Sequence, residues 1–292
     1  MLTVLLGLSG ALAYGFADFA GGIASRKRRP IVVTTLTAAI GVVPLLIGLL
    51  VIGGRFSGDA LLWGAVAGIS GSMGVLLLYS VLAIGPMSIL SPVTSVFAAI
   101  LPVITALVLG ARLSAIATVA LVVAVVAVVL VSAVRNTSGA RLSVRGLLMA
   151  AVAGCGFGGL VLAWNMTSPT DGVAPLVIAR VTQVILMGTA LLVTTRRLRP
   201  EPGATDAPTV DRRFWFIVAA CGVLDATANI FIHAAVHSST DPATLPIVSV
   251  LNALYPVGTI VLAAVVLRER LNLAQIAGIS LGIAASVVLA LN

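Results

Sequence analysis

The chain has 292 residues, of which 60% are hydrophobic and 9% are charged, and its net charge is +8. Roughly a quarter of the residues of a soluble domain are charged, so this composition excludes a soluble globular protein and predicts an integral membrane protein surrounded by the lipid bilayer. Nearly all Lys and Arg residues lie in short gaps between apolar runs rather than along one polar face. We therefore expect no nucleic-acid partner.

Ten apolar runs follow one another along the chain, and a membrane-spanning helix needs roughly 20 such residues. Glycine, proline and charged residues, which are typical of turns, separate the runs. The first run has no basic segment before it, so we expect it to remain as a spanning helix rather than act as a signal peptide. The sequence predicts an all-α integral membrane protein with ten transmembrane helices, near residues 2–24, 31–52, 60–84, 88–111, 114–134, 144–165, 173–195, 214–236, 243–267 and 271–291.

Positive charge is concentrated in every second loop. The loops after odd-numbered runs hold 14 of the 17 Lys and Arg residues, the alternate loops hold Arg55 and Arg112, and Arg180 lies within a run. Short cytoplasmic loops carry the excess of Lys and Arg. The four cations at 26–29 should therefore mark the cytoplasmic face of the cell membrane, and both termini of a ten-helix chain are expected outside the cytoplasm.

The two halves of the chain share an internal repeat. With a shift of 154 residues, the segments 92–105 and 246–259 are identical at seven of 14 positions, including two prolines in each. This match predicts two five-helix repeats, residues 1–134 and 144–291, which enter the membrane in opposite directions because five is odd. Inverted repeats are a recurring design of secondary transporters, whose substrate site lies at the repeat interface.

The matching prolines are Pro92, Pro102, Pro246 and Pro256, in the fourth and ninth runs. Proline removes a backbone hydrogen bond and bends a helix. We expect these four residues to act as hinges or to line a cavity. The alternative is that the bends only shape the packing.

Several features together resemble the EamA family of the drug/metabolite transporter superfamily. They are the two repeats, the Tyr14-Gly15 pair, the proline-rich fourth and ninth runs, and the Arg-Glu-Arg-Leu turn at 268–271. The resemblance covers nearly the whole chain and implies secondary transport. The first repeat departs from it, since residues 110–113 read Gly-Ala-Arg-Leu where the family commonly has a Glu before the basic residue. Many members have both termini in the cytoplasm, which conflicts with the distribution of cations here.

The eighth run contains four polar side chains, Asp225, Asn229, His233 and His237, at intervals of four residues. This spacing places them along one face of a helix. Ionisable groups inside a bilayer are costly unless they face a cavity or a partner. We therefore expect Asp225 and Asn229 to line a water-filled path and His237 to lie at the interface, whereas His233 is also consistent with simple packing.

Arg180 and Gln183 lie one turn apart in the seventh run. A guanidinium group inside the membrane needs a counter-ion. Asp18 and Asp225 are the two carboxylates within apolar runs, so one of them should pair with Arg180. Such a pair is either a structural clamp or an ion pair that opens to bind an anionic group of a substrate.

Other polar and aromatic side chains complete the expected substrate-binding set. Tyr14 lies one turn from Asp18. Two further pairs, Trp164 with Asn165 and Asn252 with Tyr255, could supply a stacking face and hydrogen bonds. For Trp164, anchoring at the membrane interface is the commoner role. The residues added in this way are Tyr14, Tyr79, Trp164, Asn165, Asn252 and Tyr255.

The sequence contains no Walker-type phosphate loop and no HExxH motif, and its one G-x-S-x-G match, residues 278–282, lies within an apolar run rather than at a strand-to-helix turn. These features argue against direct ATP use and against an enzyme. We expect a secondary transporter that exports or exchanges a small metabolite or drug-like compound by alternating access. A lipid or lipid-precursor flippase of the same architecture is the alternative. Proton coupling through Asp18 or Asp225 and facilitated exchange both remain open.

No metal ion or cofactor is expected. Cys155 and Cys221, each beside a glycine in an apolar run, are expected to be small packing residues. The small-xxx-small spacing of Gly278 and Gly282 is consistent with packing inside a monomer or with a homodimer.

Overall fold

The computed structural model describes residues 1–84, 87–110, 112, 114–132, 144–197, 211–266 and 273–291, and within these ranges the chain is helical and has no strand. A short 3-10 turn, Pro169–Asp171, precedes α7. The α-helices are α1 Leu2–Lys27, α2 Pro30–Ile52, α3 Gly58–Ile84, α4 Met87–Val108, α5 Ala115–Ser132, α6 Val144–Asn165, α7 Ala174–Arg197, α8 Arg212–Val236, α9 Thr244–Asn252, α10 Tyr255–Val266 and α11 Leu273–Leu291.

Each predicted apolar run contains one helix, except the ninth, which contains both α9 and α10. Among the described residues, seven helical segments are long and apolar enough to cross a membrane. They are α1, α2, α3, α6, α7, α8 and the segment Thr244–Leu262, which includes the junction of α9 and α10. The total of ten spans stays a prediction.

The prolines of the two repeats do not have matching effects. The ninth span is interrupted between Asn252 and Tyr255, directly before Pro256, whose missing N–H leaves the helix without a donor at that point. In contrast, α4 continues past Pro102 to its end at Val108. Pro246 lies in the first turn of α9, where helices tolerate proline because no intrahelical N–H bond is needed. The side chain of Pro92 lies outside the described part. The expected bend is therefore seen as a break in one repeat, and the hinge role of all four residues stays a prediction.

Helices of the first repeat pack directly on helices of the second through glycines. Gly68 of α3 faces α7, and a Cβ atom there would lie 2.7 Å from the Thr182 Cβ. Gly222 of α8, which is 154 positions later, faces α2, and a Cβ atom there would lie 2.7 Å from the Thr37 carbonyl oxygen. The two aligned glycines thus each pack on a helix of the other repeat, so the α2–α8 and α3–α7 contacts are counterparts. The helix backbones approach closely at both contacts.

Other glycines at small-xxx-small spacing also pack against helices of the same chain. Gly154 and Gly158 of α6 lie against α4, and Gly64 of α3 lies against α7. α11, which contains Gly278 and Gly282, packs along α5. Intramolecular packing therefore explains the small-xxx-small spacing at Gly154, Gly158 and Gly64.

Cationic side chains gather at one end of the helices. The residues 26–29, at the end of α1, and Arg145, at the start of α6, surround one open cavity of about 690 Å³. At the other end, the Thr3 and Ser238 hydroxyl oxygens lie 2.7 Å apart, and the Val173 N–H donates to the Gly53 carbonyl over 3.1 Å. Because α1 ends where α6 begins, the first helices of the two repeats run in opposite directions.

The distribution of side chains is reversed relative to that of a soluble protein. Leu50 is 86% exposed and Phe216 is 74% exposed, whereas Arg180 is only 5% exposed and Asp225 only 9%. Large apolar side chains on the outside and charges on the inside require a solvent that is itself apolar. The fold is therefore that of a multi-pass membrane protein with a polar centre.

Candidate functional site

A buried ion pair between α7 and α8 forms the centre of the polar interior. The Arg180 Nη2 donates to the Asp225 Oδ2, and the Arg180 Nη1 donates to the Gln183 Oε1 over 2.8 Å. The Asn229 Nδ2 donates to the same Asp225 Oδ2 over 3.3 Å. Of the two carboxylates that the sequence offers to Arg180, the structure pairs Asp225. One carboxylate oxygen thus accepts from two residues, which fixes the positions of both side chains.

The helices position this network by their own periodicity. Arg180 and Gln183 are three residues apart on α7, and Asp225 and Asn229 are four apart on α8, so each pair shares one helix face. On α2, Gly41 makes room for the guanidinium group, because a Cβ atom at that position would lie 3.2 Å from the Arg180 Cζ. The charged pair is thus enclosed by three helices, two from the second repeat and one from the first.

Two small cavities adjoin the ion pair, and each has a volume of about 20 Å³. A cavity of that size holds about one water molecule and is too small for a metabolite. Tyr14, Phe157, Leu160 and Asp225 line both. The first cavity is also lined by Asp18, Val161, Asn252 and Tyr255, and the second by Ala67, Gly68, Gly71, Val75, Leu176, Ala179, Arg180, Gln183 and Asn229. The structure therefore shows a closed central site, located where α1, α3, α6, α7, α8 and the α9–α10 break meet.

Asp18 contributes a second carboxylate to this centre. It is buried on α1 and lines the first cavity together with Asn252. Within the described ranges, no side chain or backbone group makes a hydrogen bond or ion pair with its carboxylate. The Asn252 Oδ1 is likewise buried without a hydrogen-bond partner. Asp18 and Asn252 therefore both line the first cavity, and neither the Asp18 carboxylate nor the Asn252 Oδ1 accepts a hydrogen bond from a described residue.

Tyr255 begins α10 at the edge of the same cavity. Its hydroxyl donates to the Ser91 carbonyl of α4 over 3.2 Å. One turn later, the Thr259 hydroxyl donates to the Gly15 carbonyl of α1 over 3.0 Å. The segment after the α9–α10 break is thus attached to α1 and α4 of the first repeat.

The histidines of α8 belong to a different cluster, nearer the end that is opposite the cations. The His233 and His237 rings lie 4.6 Å apart by their centroids. The Thr167 Oγ1 lies 3.3 Å from the His233 Nε2 and 3.1 Å from the His237 Nε2. The predicted stripe of four polar groups is therefore divided, with Asp225 and Asn229 at the centre and both histidines outside it.

Trp164 packs inside the histidine cluster rather than at the membrane interface. It is fully buried, and its ring meets the His233 ring edge-on with centroids 6.0 Å apart. The interfacial role expected for Trp164 is therefore wrong, because the indole is enclosed by α6 and α8. Its neighbour Asn165 instead lines a separate cavity of about 430 Å³ with His237 and Asp241. Neither Trp164 nor Asn165 contacts the central cavities.

Burial lowers the pKa of His237, which lies just beyond the end of α8. The hydrogen bond to the Trp164 carbonyl and the charge of Asp171 act in the opposite direction and raise it. The net direction is downward, so the folded protein favours the neutral imidazole at this position.

Tyr79 also lies away from the cavities. Its hydroxyl is 3.0 Å from the Cys221 Sγ, and the Cys221 thiol donates to the Ala17 carbonyl over 3.2 Å. Both side chains are buried. Tyr79 therefore links α3 to α8, and Cys221 serves as a packing and hydrogen-bonding residue between the repeats.

The sequence analysis missed several residues of these sites, most of them apolar or small. Phe157 and Leu160 line both central cavities, and Thr167 bridges the two histidines. An apolar residue within an apolar run gives no signal that it faces a cavity. The one signal available in the sequence is the run of glycines around Phe157, which is typical of a helix that is approached closely on several sides.

The fold and its centre define a multi-pass membrane protein in which two halves enclose a buried ion pair. The profile of the EamA-like transporter family matches residues 1–133 and 144–291, so the chain belongs to that family. Its members are transporters of the drug/metabolite transporter superfamily, and the chain is accordingly a membrane transporter of this type. No curated protein matches the sequence.

Among solved structures, the chain is similar to a crystal structure with a TM-score of 0.72 at 16% identity. The match covers 99% of this chain and 96% of that one. At this level of identity the likeness shows the fold alone, over the full length of both chains.

Proposed function

We propose that this chain is a secondary transporter that exports or exchanges a small metabolite or drug-like compound by alternating access, with ten spanning helices in two inverted repeats. The observation that carries the proposal is the Arg180–Asp225 ion pair, which is buried beside two cavities where the repeats meet. Substrate sites of inverted-repeat transporters lie at the repeat interface and are typically formed by broken helices. The α9–α10 break at this centre agrees with that design.

The closed centre must enlarge before it can hold a substrate. The α9–α10 break is a place where the backbone can bend, because the helix is interrupted there and Pro256 supplies no N–H. The matching packing of α2 on α8 and of α3 on α7 allows either end to open by a similar motion. In each open state, water or substrate groups would reach Asp18 and the Arg180–Asp225 pair from a different side.

Exchange of labelled solutes in proteoliposomes tests this proposal. We expect the wild-type chain to exchange at least one small polar solute from a screened panel, and Asp225→Asn to abolish that exchange. Asp59→Asn, at an exposed site in the first turn of α3, is the matched control and should leave exchange unchanged. If Asp225→Asn exchanges every solute as fast as wild type, the ion pair has no part in transport. Uptake that ignores a pH gradient in wild type, Asp18→Asn and Asp225→Asn would favour facilitated exchange over proton coupling.

For the orientation, we propose that the cationic end faces the cytoplasm and that both termini lie outside it. The support is the gathering of residues 26–29, Arg145 and Arg213 at one end of the helices. A reporter that is active only in the cytoplasm, fused at Asn292, should give no signal. A strong signal would place the C-terminus inside, as in many relatives.

A lipid flippase is the second candidate, and one surface feature favours it. An apolar groove of about 500 Å³ lies between α1, α8 and α10, with Lys27 and Arg213 at its cationic end. Apolar walls with cations at the headgroup end fit a lipid with an anionic headgroup. Translocation of a fluorescent anionic lipid in proteoliposomes, lost in Asp225→Asn but not in Asp59→Asn, would decide for this function.

A further inference from the structure

Two carboxylates, those of Asp18 and Asp225, line the first central cavity. Arg180 is already paired with Asp225, so these two side chains together are neutral. The carboxylate of Asp18 remains. Asp18 is only 7% exposed, and no described residue makes a hydrogen bond or an ion pair with its carboxylate. When Asp18 is ionised, the cavity therefore has a net charge of −1 and lacks a counter-ion.

The other groups around Asp18 suit a positively charged ligand. The Asn252 Oδ1 is a buried acceptor without a donor, and leaving such a group unpaired is unfavourable. Three aromatic rings, those of Tyr14, Phe157 and Tyr255, line the same cavity. Aromatic faces attract cations, most strongly where water is excluded. A carboxylate, an unpaired carbonyl oxygen and aromatic rings are together the groups that bind ammonium ions.

We propose that the substrate class of this site is a small organic cation, such as a substituted ammonium ion, whose charge pairs with Asp18 while Arg180 and Asp225 stay paired. This inference rests on the proposed transport function and adds the charge of the substrate to it. An anionic substrate would instead have to separate Arg180 from Asp225 and Gln183, and it would then lie beside the two carboxylates. The cation needs no ion pair to break, because it occupies the free acceptors.

A proton competes with the cation for the same carboxylate, since a protonated Asp18 has no charge to attract it. Affinity should therefore fall as the pH is lowered, with one proton released to water for each cation bound to the protonated form. Three helices that pack on α1, namely α2, α9 and α11, contain no titratable side chain and so contribute none to the surroundings of Asp18. The titratable groups that act on Asp18 from its surroundings are Asp225 and Cys221 on α8, Tyr255 on α10, Tyr79 on α3 and Tyr14 on α1 itself.

The test is calorimetric titration of the full chain in detergent with three probes of similar size and different charge. They are benzyltrimethylammonium, neutral benzyl alcohol and anionic phenylacetate. We expect the cation to bind at least roughly tenfold more tightly than either other probe, which corresponds to about 1.4 kcal/mol or more. Phenylacetate binding as tightly as the cation would overturn the proposal and make Arg180 the ligand-binding group.

Variants identify the group responsible. Asp18→Asn should lower the affinity for the cation at least tenfold and remove its dependence on pH, whereas Asp18→Glu should retain both. The exposed Asp59→Asn serves as the control for a lost carboxylate. Tyr14→Leu should bind the cation more weakly because it lacks the ring. Unchanged affinity in folded Asp18→Asn would overturn the proposal, and the comparison of the three probes on wild type holds even if that variant does not fold.

Failure of this inference can be told apart from failure of the transport function. If the proteoliposomes exchange a neutral or anionic solute and benzyltrimethylammonium neither binds nor competes, the cation class is wrong and transport stands. If the cation binds to Asp18 but no solute is exchanged, the binding site stands and the transport function is wrong.

Discussion

Removing the negative charge of Asp225 is the most direct test of the polar centre. In Asp225→Asn, Arg180 remains buried and loses the carboxylate that its Nη2 contacts, while the neutral Gln183 still accepts from its Nη1. Breaking a buried ion pair by removing one partner costs about 3–5 kcal/mol, because the other charge is left buried without compensation. Since Gln183 stays and the new amide oxygen can still accept, we expect the lower end, about 3 kcal/mol.

The assay is unfolding of the purified chain by SDS in mixed micelles, followed by far-ultraviolet circular dichroism. Each single variant, Asp225→Asn and Arg180→Met, should unfold at a lower SDS fraction than wild type. The double variant Arg180→Met/Asp225→Leu should recover most of the loss, because replacing a buried pair by apolar side chains is often neutral. If Asp225→Asn loses less than about 1 kcal/mol, or if the double variant is as unstable as the singles, the pair does not stabilise the fold as argued.

Three further changes probe the packing between the repeats and the histidine cluster. Gly68→Val should destabilise the chain by about 1–3 kcal/mol because its side chain meets α7. Gly188→Ala, with no neighbour within 4 Å, should not destabilise it in the same SDS assay and should gain up to about 1 kcal/mol from the helix propensity of alanine. Tyr79→Phe should cost about 1 kcal/mol by removing the hydrogen bond with Cys221, and an unchanged midpoint would show that this contact contributes nothing. Burial lowers the pKa of His237, so stability should be full above about pH 6.5 and fall as the pH drops below it. His237→Gln should flatten that decline in thermal unfolding scans between pH 8 and 5, and an equally steep decline would contradict it.

The positions of the helices followed closely from the sequence, because a run of apolar residues and a charged gap are both strong signals in a membrane protein. The sequence also limited the counter-ion of Arg180 to two carboxylates, because an unpaired charge inside the membrane is too costly to be common. What the pattern could not supply was the choice between them. That choice depends on how α7 and α8 are placed relative to each other, and each of them packs on a helix of the first repeat at a glycine, Gly68 for α7 and Gly222 for α8.

Equivalent residues of the two repeats acquired different environments, and no repeat alignment could have predicted this. Pro102 and Pro256 are aligned, yet α4 continues past the first and the ninth span breaks at the second. Gly158 of α6 lies directly against Pro102, where its would-be Cβ is 3.2 Å from the Pro102 Cδ, so tertiary packing supports the helix there. Tyr79 and His233 are likewise aligned, but one bonds to Cys221 and the other contacts Thr167. Local propensity is overridden by these contacts.

The asymmetry between the repeats explains how one inverted scaffold can hold a charged site. On α8, Asp225 and Asn229 supply the polar groups, and the aligned positions on α3 are Gly71 and Val75, which line the same cavity as Arg180. A carboxylate at Gly71 would place a third acid at the centre, beside Asp225 and Asp18, and a Cβ atom there would already lie 2.6 Å from the Leu160 Cδ1. The first repeat therefore contributes small and apolar walls on α3 and a separate acid, Asp18, on α1. The backbone contacts are thus matched between the repeats, whereas the charged groups of the central site lie on α1, α7 and α8. Under the proposed alternating-access mechanism, the two halves would exchange conformations around this one set of polar groups.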